Sequence, residues 1–143
     1  MPHNARTHKR TTLFAHVIVT ALLVVAFQTF APHTASAASI KGNWRGAGTL
    51  MMGSGTKERF RCRVTYGRVA GRTFSVRANC ASQSGKFYQT GKVRRISKSR
   101  YVGTIHNAEF GVSARVVITA KGKSQRVSMT NNHGSAFLSL RRR

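Results

Sequence analysis

The sequence predicts an all-β domain, an eight-stranded antiparallel up-and-down barrel, on three observations. From Gly42 onward apolar and polar side chains alternate in short runs, the period of a half-buried strand. Clusters of Gly, Ser, Asn and Lys separate the runs at the spacing of tight turns, and no stretch keeps a 3.6-residue period long enough for a helix. Eight runs joined by such turns leave no room for crossover connections, and an even meander with one apolar face hides it by closing on itself. A sandwich of two four-stranded sheets is the alternative closure, since alternation alone does not separate the two.

Ahead of the barrel, residues 1–37 read as a cleaved secretory signal peptide. Arg6, Lys9 and Arg10 form a basic head, a mostly apolar run spans 13–27, and Ala35-Ser36-Ala37 supplies a small-x-small cleavage site. The run is shorter than the roughly 20 apolar residues of a spanning helix, so residues 38–143 are expected to be one domain with no integral membrane span after cleavage. That places it in the periplasm or outside the cell. Of the 25 Lys and Arg only those three are lost with the leader, so 22 basic against 2 acidic residues give the domain a formal charge of +20. An excess of that size attracts anions and costs stability through self-repulsion.

The first strand is expected over 43–52, with Trp44, Gly46, Gly48, Leu50 and Met52 inward and 53–56 as its turn. The second, 57–66, points Phe60, Cys62, Val64 and Tyr66 one way and Arg59, Arg61 and Arg63 the other; the third, 73–81, sets Phe74, Val76, Ala78 and Cys80 against Ser75, Arg77 and Asn79. If these two form a hairpin centred on Gly71, Cys62 lies opposite Cys80 and Val64 opposite Ala78, within disulfide reach. Two cysteines in an exported chain favour that bridge, as a structural one. Further strands are expected over 86–96, 101–106, 112–120, 125–130 and 135–140, with Phe87, Val93, Tyr101, Ile105, Val112, Ala114, Val116, Ile118, Val127, Met129, Ala136, Leu138 and Leu140 inward and Phe137 outward. The small inward residues Gly46, Gly48, Gly91 and Gly103 suit a tightly curved wall, and the inward side chains are bulky enough to nearly fill the barrel.

Gly42-Asn43-Trp44 at the start of an eight-strand meander resembles the Gly-x-Trp strand of calycins, and with the pair Cys62 and Cys80 it looks nearest to the bacterial periplasmic metalloprotease inhibitors. The resemblance implies a Trp at the barrel base that meets a basic residue of the last strand, for which Arg141 is the match. It also implies a small-ligand carrier or an inhibitor of a secreted hydrolase. Those inhibitors reach into the protease with an arm ahead of the Gly-x-Trp strand, and here only Ala38-Ser39-Ile40-Lys41 stands in that place.

Catalytic inventory is thin. The chain has no Asp, and Glu58 and Glu109 are its only acids, so chemistry built on paired carboxylates or two metals has almost nothing to use. Beyond the leader only His106 and His133 remain, with no His-Glu-x-x-His run and no Gly-x-Ser-x-Gly elbow. No enzyme activity, cofactor or metal is expected. The cations carry the positive expectation. Arg59, Arg61 and Arg63 share one strand face at about 7 Å intervals, and Arg77 extends the row. Lys92, Arg94, Arg95, Lys98 and Arg100 form a second cluster, and Arg141, Arg142 and Arg143 a third. Guanidinium forks suit phosphate, sulfate and carboxylate. Outward aromatics for stacking are few, Tyr88 and Phe137. The expected partner is therefore an anionic polysaccharide, lipopolysaccharide or a nucleic-acid backbone held without sequence specificity. A secreted protein, or a purely structural place in the envelope, is the alternative.

Overall fold

A computed structural model describes residues 39–143; the expected leader lies outside the described residues. The described chain is a closed barrel of eight antiparallel strands in sequence order: β1 (Gly42–Met52), β2 (Lys57–Ala70), β3 (Thr73–Ser82), β4 (Gly85–Arg95), β5 (Arg100–Asn107), β6 (Val112–Lys121), β7 (Ser124–Asn131) and β8 (Gly134–Arg142). Closure comes from β1 pairing with β8, from Trp44 opposite Arg142 to Met52 opposite Gly134. The sandwich alternative is thereby excluded. Each strand has both neighbours within residues 42–142, so the barrel has no open edge for any preceding segment to complete.

Alternation explains each strand. In β2 every second residue from Phe60 to Tyr66 is buried while Arg59, Arg61 and Arg63 are exposed, and β3 repeats the pattern. Cys62 pairs with Cys80 and Val64 with Ala78, and the two sulfurs are bonded. The hairpin turns at Gly71, whose φ of 48° suits a residue without Cβ. β2 runs on to Ala70, past the expected end at Tyr66, with a bulge between Arg68 and Ala70. Met52, expected inward, is instead exposed, because the pleat ends there: its N–H already bonds the Thr56 carbonyl of the turn.

Curvature is concentrated at two seams. A Cβ on Gly46 or Gly48 would collide with the backbone of β8, and one on Gly91 or Gly103 with that of β5 or β4. These glycines let the wall fold sharply at β8–β1 and, across the barrel, at β4–β5.

The core is uneven along the axis. The base is the end where β1 starts and the turns β2–β3, β4–β5 and β6–β7 lie; the mouth is the opposite end. The largest fully buried side chains, Trp44, Tyr101, Phe74, Ile40, Ile118, Leu140 and Val93, all sit towards the base. Phe74 and Tyr101 meet edge-on there, 5.6 Å between ring centroids. Towards the mouth, Leu50, Phe87 and Ala114 are only partly buried. The expectation of a nearly filled barrel holds for the base and fails at the mouth.

Candidate anion-binding surface and barrel mouth

The base is closed by a short stack. Ile40 is fully buried beneath the barrel, and its carbonyl accepts a hydrogen bond from Trp44 Nε1 at 2.8 Å. Arg142 lies over the indole, 4.5 Å from the ring centroid, and its guanidinium donates to the carbonyls of Lys41 (2.6 Å) and Ser39. Arg142, not Arg141, thus meets the tryptophan. The reason is pleat parity: Leu138 and Leu140 point inward, so Arg142 does too and Arg141 points out. Arg142, expected among the anion-binding residues, is committed to this stack. Residues 39–41 are folded into the base and present no free arm.

On the outer wall the β8–β1–β2 register sets three arginines abreast. Arg45 pairs with Arg63 on one side and Arg141 on the other. The row continues to Ser124 and Lys121 beyond Arg141 and to Asn79 and Tyr88 beyond Arg63. The next row, one pleat towards the mouth, reads Arg126, Ser139, Ala47, Arg61, Ala81 and Lys86. Together they line an open groove of about 1490 Å³ whose floor is the small residues Gly46, Ala47, Ala81 and Ser139. Adjacent strands lie about 4.8 Å apart, and like charges directly opposite destabilise a sheet. Neither glutamate lines this surface.

Of the sequence candidates, Arg61, Arg63 and Arg141 are brought together here. Arg77 sits one pleat from Arg63 towards the base, opposite Thr65 and Thr90, and Arg59 one pleat from Arg61 towards the mouth, beside Thr49. Lys92, Arg94, Arg95, Lys98 and Arg100 belong to another part of the wall, around the β4–β5 turn, with Arg143 at the base. Arg45, Lys86, Lys121 and Arg126 join them without belonging to any basic cluster of the sequence. Their outward parity was readable, but their adjacency exists only once β8 closes on β1.

The mouth holds a cavity of about 700 Å³ between the turns β1–β2, β3–β4, β5–β6 and β7–β8. Phe60, Phe87, Leu50, Ile105, Met129 and Ala136 line its wall, with Phe110 and Met52 at the rim. Phe60 and Phe87 are tilted against each other, centroids 6.0 Å apart. Polar side chains, Glu58, Gln89, Asn107 and His133 among them, line the rest, and some of them shape turns: Asn107 Oδ1 accepts from the Phe110 N–H at 3.1 Å. Glu58 Oε1 accepts from the Ser84 N–H at 2.8 Å. That bond, with the Ser82 and Ser84 hydroxyls, holds the Glu58 carboxyl below the usual carboxylate range. Among the described residues no group of three His, Cys, Asp or Glu is placed to hold a metal ion.

No family model matches the chain, and the search of curated proteins also gives no match. Solved structures do. A redesigned β-barrel covers 76% of this chain and 95% of its own at 15% identity and a TM-score of 0.62. A second redesigned β-barrel, bound to DFHBI, covers 76% and 98% at 15% identity and a TM-score of 0.61. A de novo designed fluorescence-activating barrel covers 76% and 97% at 15% identity and a TM-score of 0.59. The likeness is one of fold. It supports a small eight-stranded antiparallel barrel and gives no family-level support for the metalloprotease-inhibitor type.

Proposed function

We propose that the chain is an exported, non-enzymatic barrel that holds an anionic polymer along the outer wall of β8, β1 and β2. The observation that carries this reading is the unrelieved row Arg63, Arg45 and Arg141, flanked by Arg61 and Arg126. Side-by-side guanidiniums cost folding stability, and a polyanion laid across them removes that cost. Their planar forks match phosphate, sulfate or carboxylate groups, and Tyr88, exposed at the end of the row, offers one ring for a sugar or base to stack on. The partner class is an anionic polysaccharide, lipopolysaccharide phosphates or a nucleic-acid backbone, with binding that weakens as salt rises.

Retention of residues 38–143 on heparin, against retention on a plain sulfonate resin, tests this. Heparin is expected to hold the domain to higher salt than the sulfonate does, and Arg45→Gln, Arg63→Gln and Arg141→Gln together to remove that margin. A charge-matched control, Arg77→Gln, Lys92→Gln and Arg115→Gln, should lower retention on both resins alike. Equal loss of the margin in both triples would reduce the row to a diffuse field.

A second reading, small-ligand carriage, is favoured by the mouth. Its volume lies within the roughly 300–1,000 Å³ of ligand pockets, and its wall is mainly apolar. One structural neighbour is described as bound to DFHBI, a statement about that protein. Fluorescence of the neutral dye N-phenyl-1-naphthylamine separates the readings: it should rise with the domain and be suppressed by Ala114→Phe if the mouth takes ligands, and the arginine triple should leave it unchanged. An inhibitor of a secreted hydrolase has less support, because residues 39–41 are engaged in closing the base.

A further inference from the structure

The charge of the barrel is graded along its axis. Both glutamates lie at the mouth end, Glu58 near the start of β2 and Glu109 in the β5–β6 turn, whereas each turn at the base carries a cation, Arg72, Lys98 and Lys123, joined by the terminal Arg143. The β2–β3 hairpin extends beyond the last β1–β2 pair, Gly42 with Tyr66, to its tip at Gly71. Its neighbour, the β4–β5 turn, is tied to it by a hydrogen bond from the Arg95 N–H to the Arg72 carbonyl, 2.9 Å.

Each of these two linked tips exposes one large aliphatic side chain: Val69 is 52% and Ile96 51% exposed. A lone exposed apolar residue means nothing. Here two stand on adjacent tips, Val69 beside Arg72, with Arg68 over the Phe74 ring, and Ile96 beside Arg95 and Lys98. A polymer in solution has no use for them. A bilayer surface with anionic headgroups does, since apolar side chains enter the headgroup boundary while Lys and Arg meet the phosphates around them.

We propose that the base of the barrel docks on the surface of an anionic phospholipid bilayer, with Val69 and Ile96 dipping between headgroups and the surrounding cations on the phosphates. The mouth then points away from the bilayer and the arginine row stands on the flank. The inference uses a different face from the polymer reading and does not depend on it.

The test places a tryptophan at each end in residues 38–143, whose strands complete one another without the preceding segment: Ile96→Trp at the base and Phe110→Trp at the mouth, with buried Trp44 a constant background. Vesicles are phosphatidylglycerol and phosphatidylcholine in equal parts, or phosphatidylcholine alone. With the anionic vesicles, emission of the Ile96→Trp protein should shift to the blue and be quenched several-fold more by brominated phosphatidylcholine than that of the Phe110→Trp protein; with neutral vesicles neither should respond. Val69→Ser with Ile96→Ser should lower the vesicle-bound fraction several-fold and leave heparin retention unchanged. Arg45→Gln, Arg63→Gln and Arg141→Gln should lower heparin retention and leave the quenching in place. No binding to the anionic vesicles, binding without quenching at position 96, or stronger quenching at position 110 would each overturn the proposal.

Discussion

The base and the mouth are made by the same strands with the same alternation, yet one end is a packed plug and the other an open cup. At the base, aromatic rings from β1, β3 and β5 converge, Ile40 folds beneath them and Arg142 seals the indole. At the mouth, Phe60, Ile105 and Met129 share the inward positions with Ala114, Ala136 and the partly buried Leu50 and Phe87, and a cavity of about 700 Å³ is left between them. Side-chain volume along the axis, rather than strand pattern, decides which end closes. Stability should therefore be unequally distributed, and substitutions that are chemically alike should have different costs at the two ends.

The largest contrast is expected between Trp44→Ala and Phe87→Ala. Removing a fully buried aromatic costs about 3–5 kcal/mol, and the loss of Trp44 also leaves the Ile40 carbonyl without its donor and takes the ring from under the Arg142 guanidinium. Phe87 is only partly buried and faces the cup, so its loss should cost less than half as much. Urea unfolding of both variants measures this; equal losses would mean that the mouth is packed as tightly as the base.

Next comes a pair of neighbours. Arg142→Gln gives up a cation–π contact and charge-assisted bonds to two carbonyls, about 2 kcal/mol together. Arg141→Gln lies on the outer wall and should stay within about 0.5 kcal/mol of the parent, or gain slightly by relieving Arg45. Its effect belongs on the heparin column. If the two variants unfold alike, the stack under the barrel contributes nothing to stability.

These two arginines also show how far the sequence could be read. Strand number, the facing cysteines and the inward set of β2 and β3 followed from alternation and turn chemistry, and the glycines at the sharp seams from the need for close backbone approach. The identity of the sealing arginine is equally legible: parity from Leu138 and Leu140 puts Arg142 inside, whereas the calycin resemblance points to the residue before it. The arginine row was not available in the same way. Arg45, Arg63 and Arg141 are far apart in the chain and meet only through the register of the β8–β1 closure. The cup was hidden for a related reason, since whether small inward residues share one level depends on the stagger of all eight strands.

A smaller effect should separate the ends by their buried polar groups. In the base half, the Tyr66 hydroxyl donates to Gln125 Oε1 at 2.9 Å, and Gln125 Nε2 finds no partner. Tyr66→Phe strands the amide and should cost about 1 kcal/mol, whereas Tyr66→Phe combined with Gln125→Leu should recover most of it, because removing both partners leaves no polar group stranded. A double-mutant cycle in urea gives the coupling; simple additivity would break the argument. Burial also pushes the Tyr66 hydroxyl up from its ordinary value, so the folded state holds the proton more tightly than the unfolded chain. Its contribution is complete below the unfolded tyrosine value of about 10 and is lost as pH rises beyond it. Tyr66→Phe should flatten that alkaline decline.

The smallest expected effect lies at the mouth and has the opposite sign in pH. The Ser84 N–H and the serine hydroxyls favour the ionised form of Glu58, so the folded state holds its proton less tightly than the unfolded chain. The stabilisation is present above the unfolded carboxylate value of about 4 and disappears as pH falls through the lower, folded one. Glu58→Gln should therefore lower the urea midpoint slightly at neutral pH and converge with the parent near pH 2. The approach to convergence is informative. A gap that persists at pH 2 would mean that the side chain acts through packing against the β3–β4 turn, and the acid sensitivity of the cup would then have to reside elsewhere. A gap that closes would assign acid loosening to the mouth and alkaline loosening to the Tyr66 half, two ends of one sheet that fail at opposite extremes.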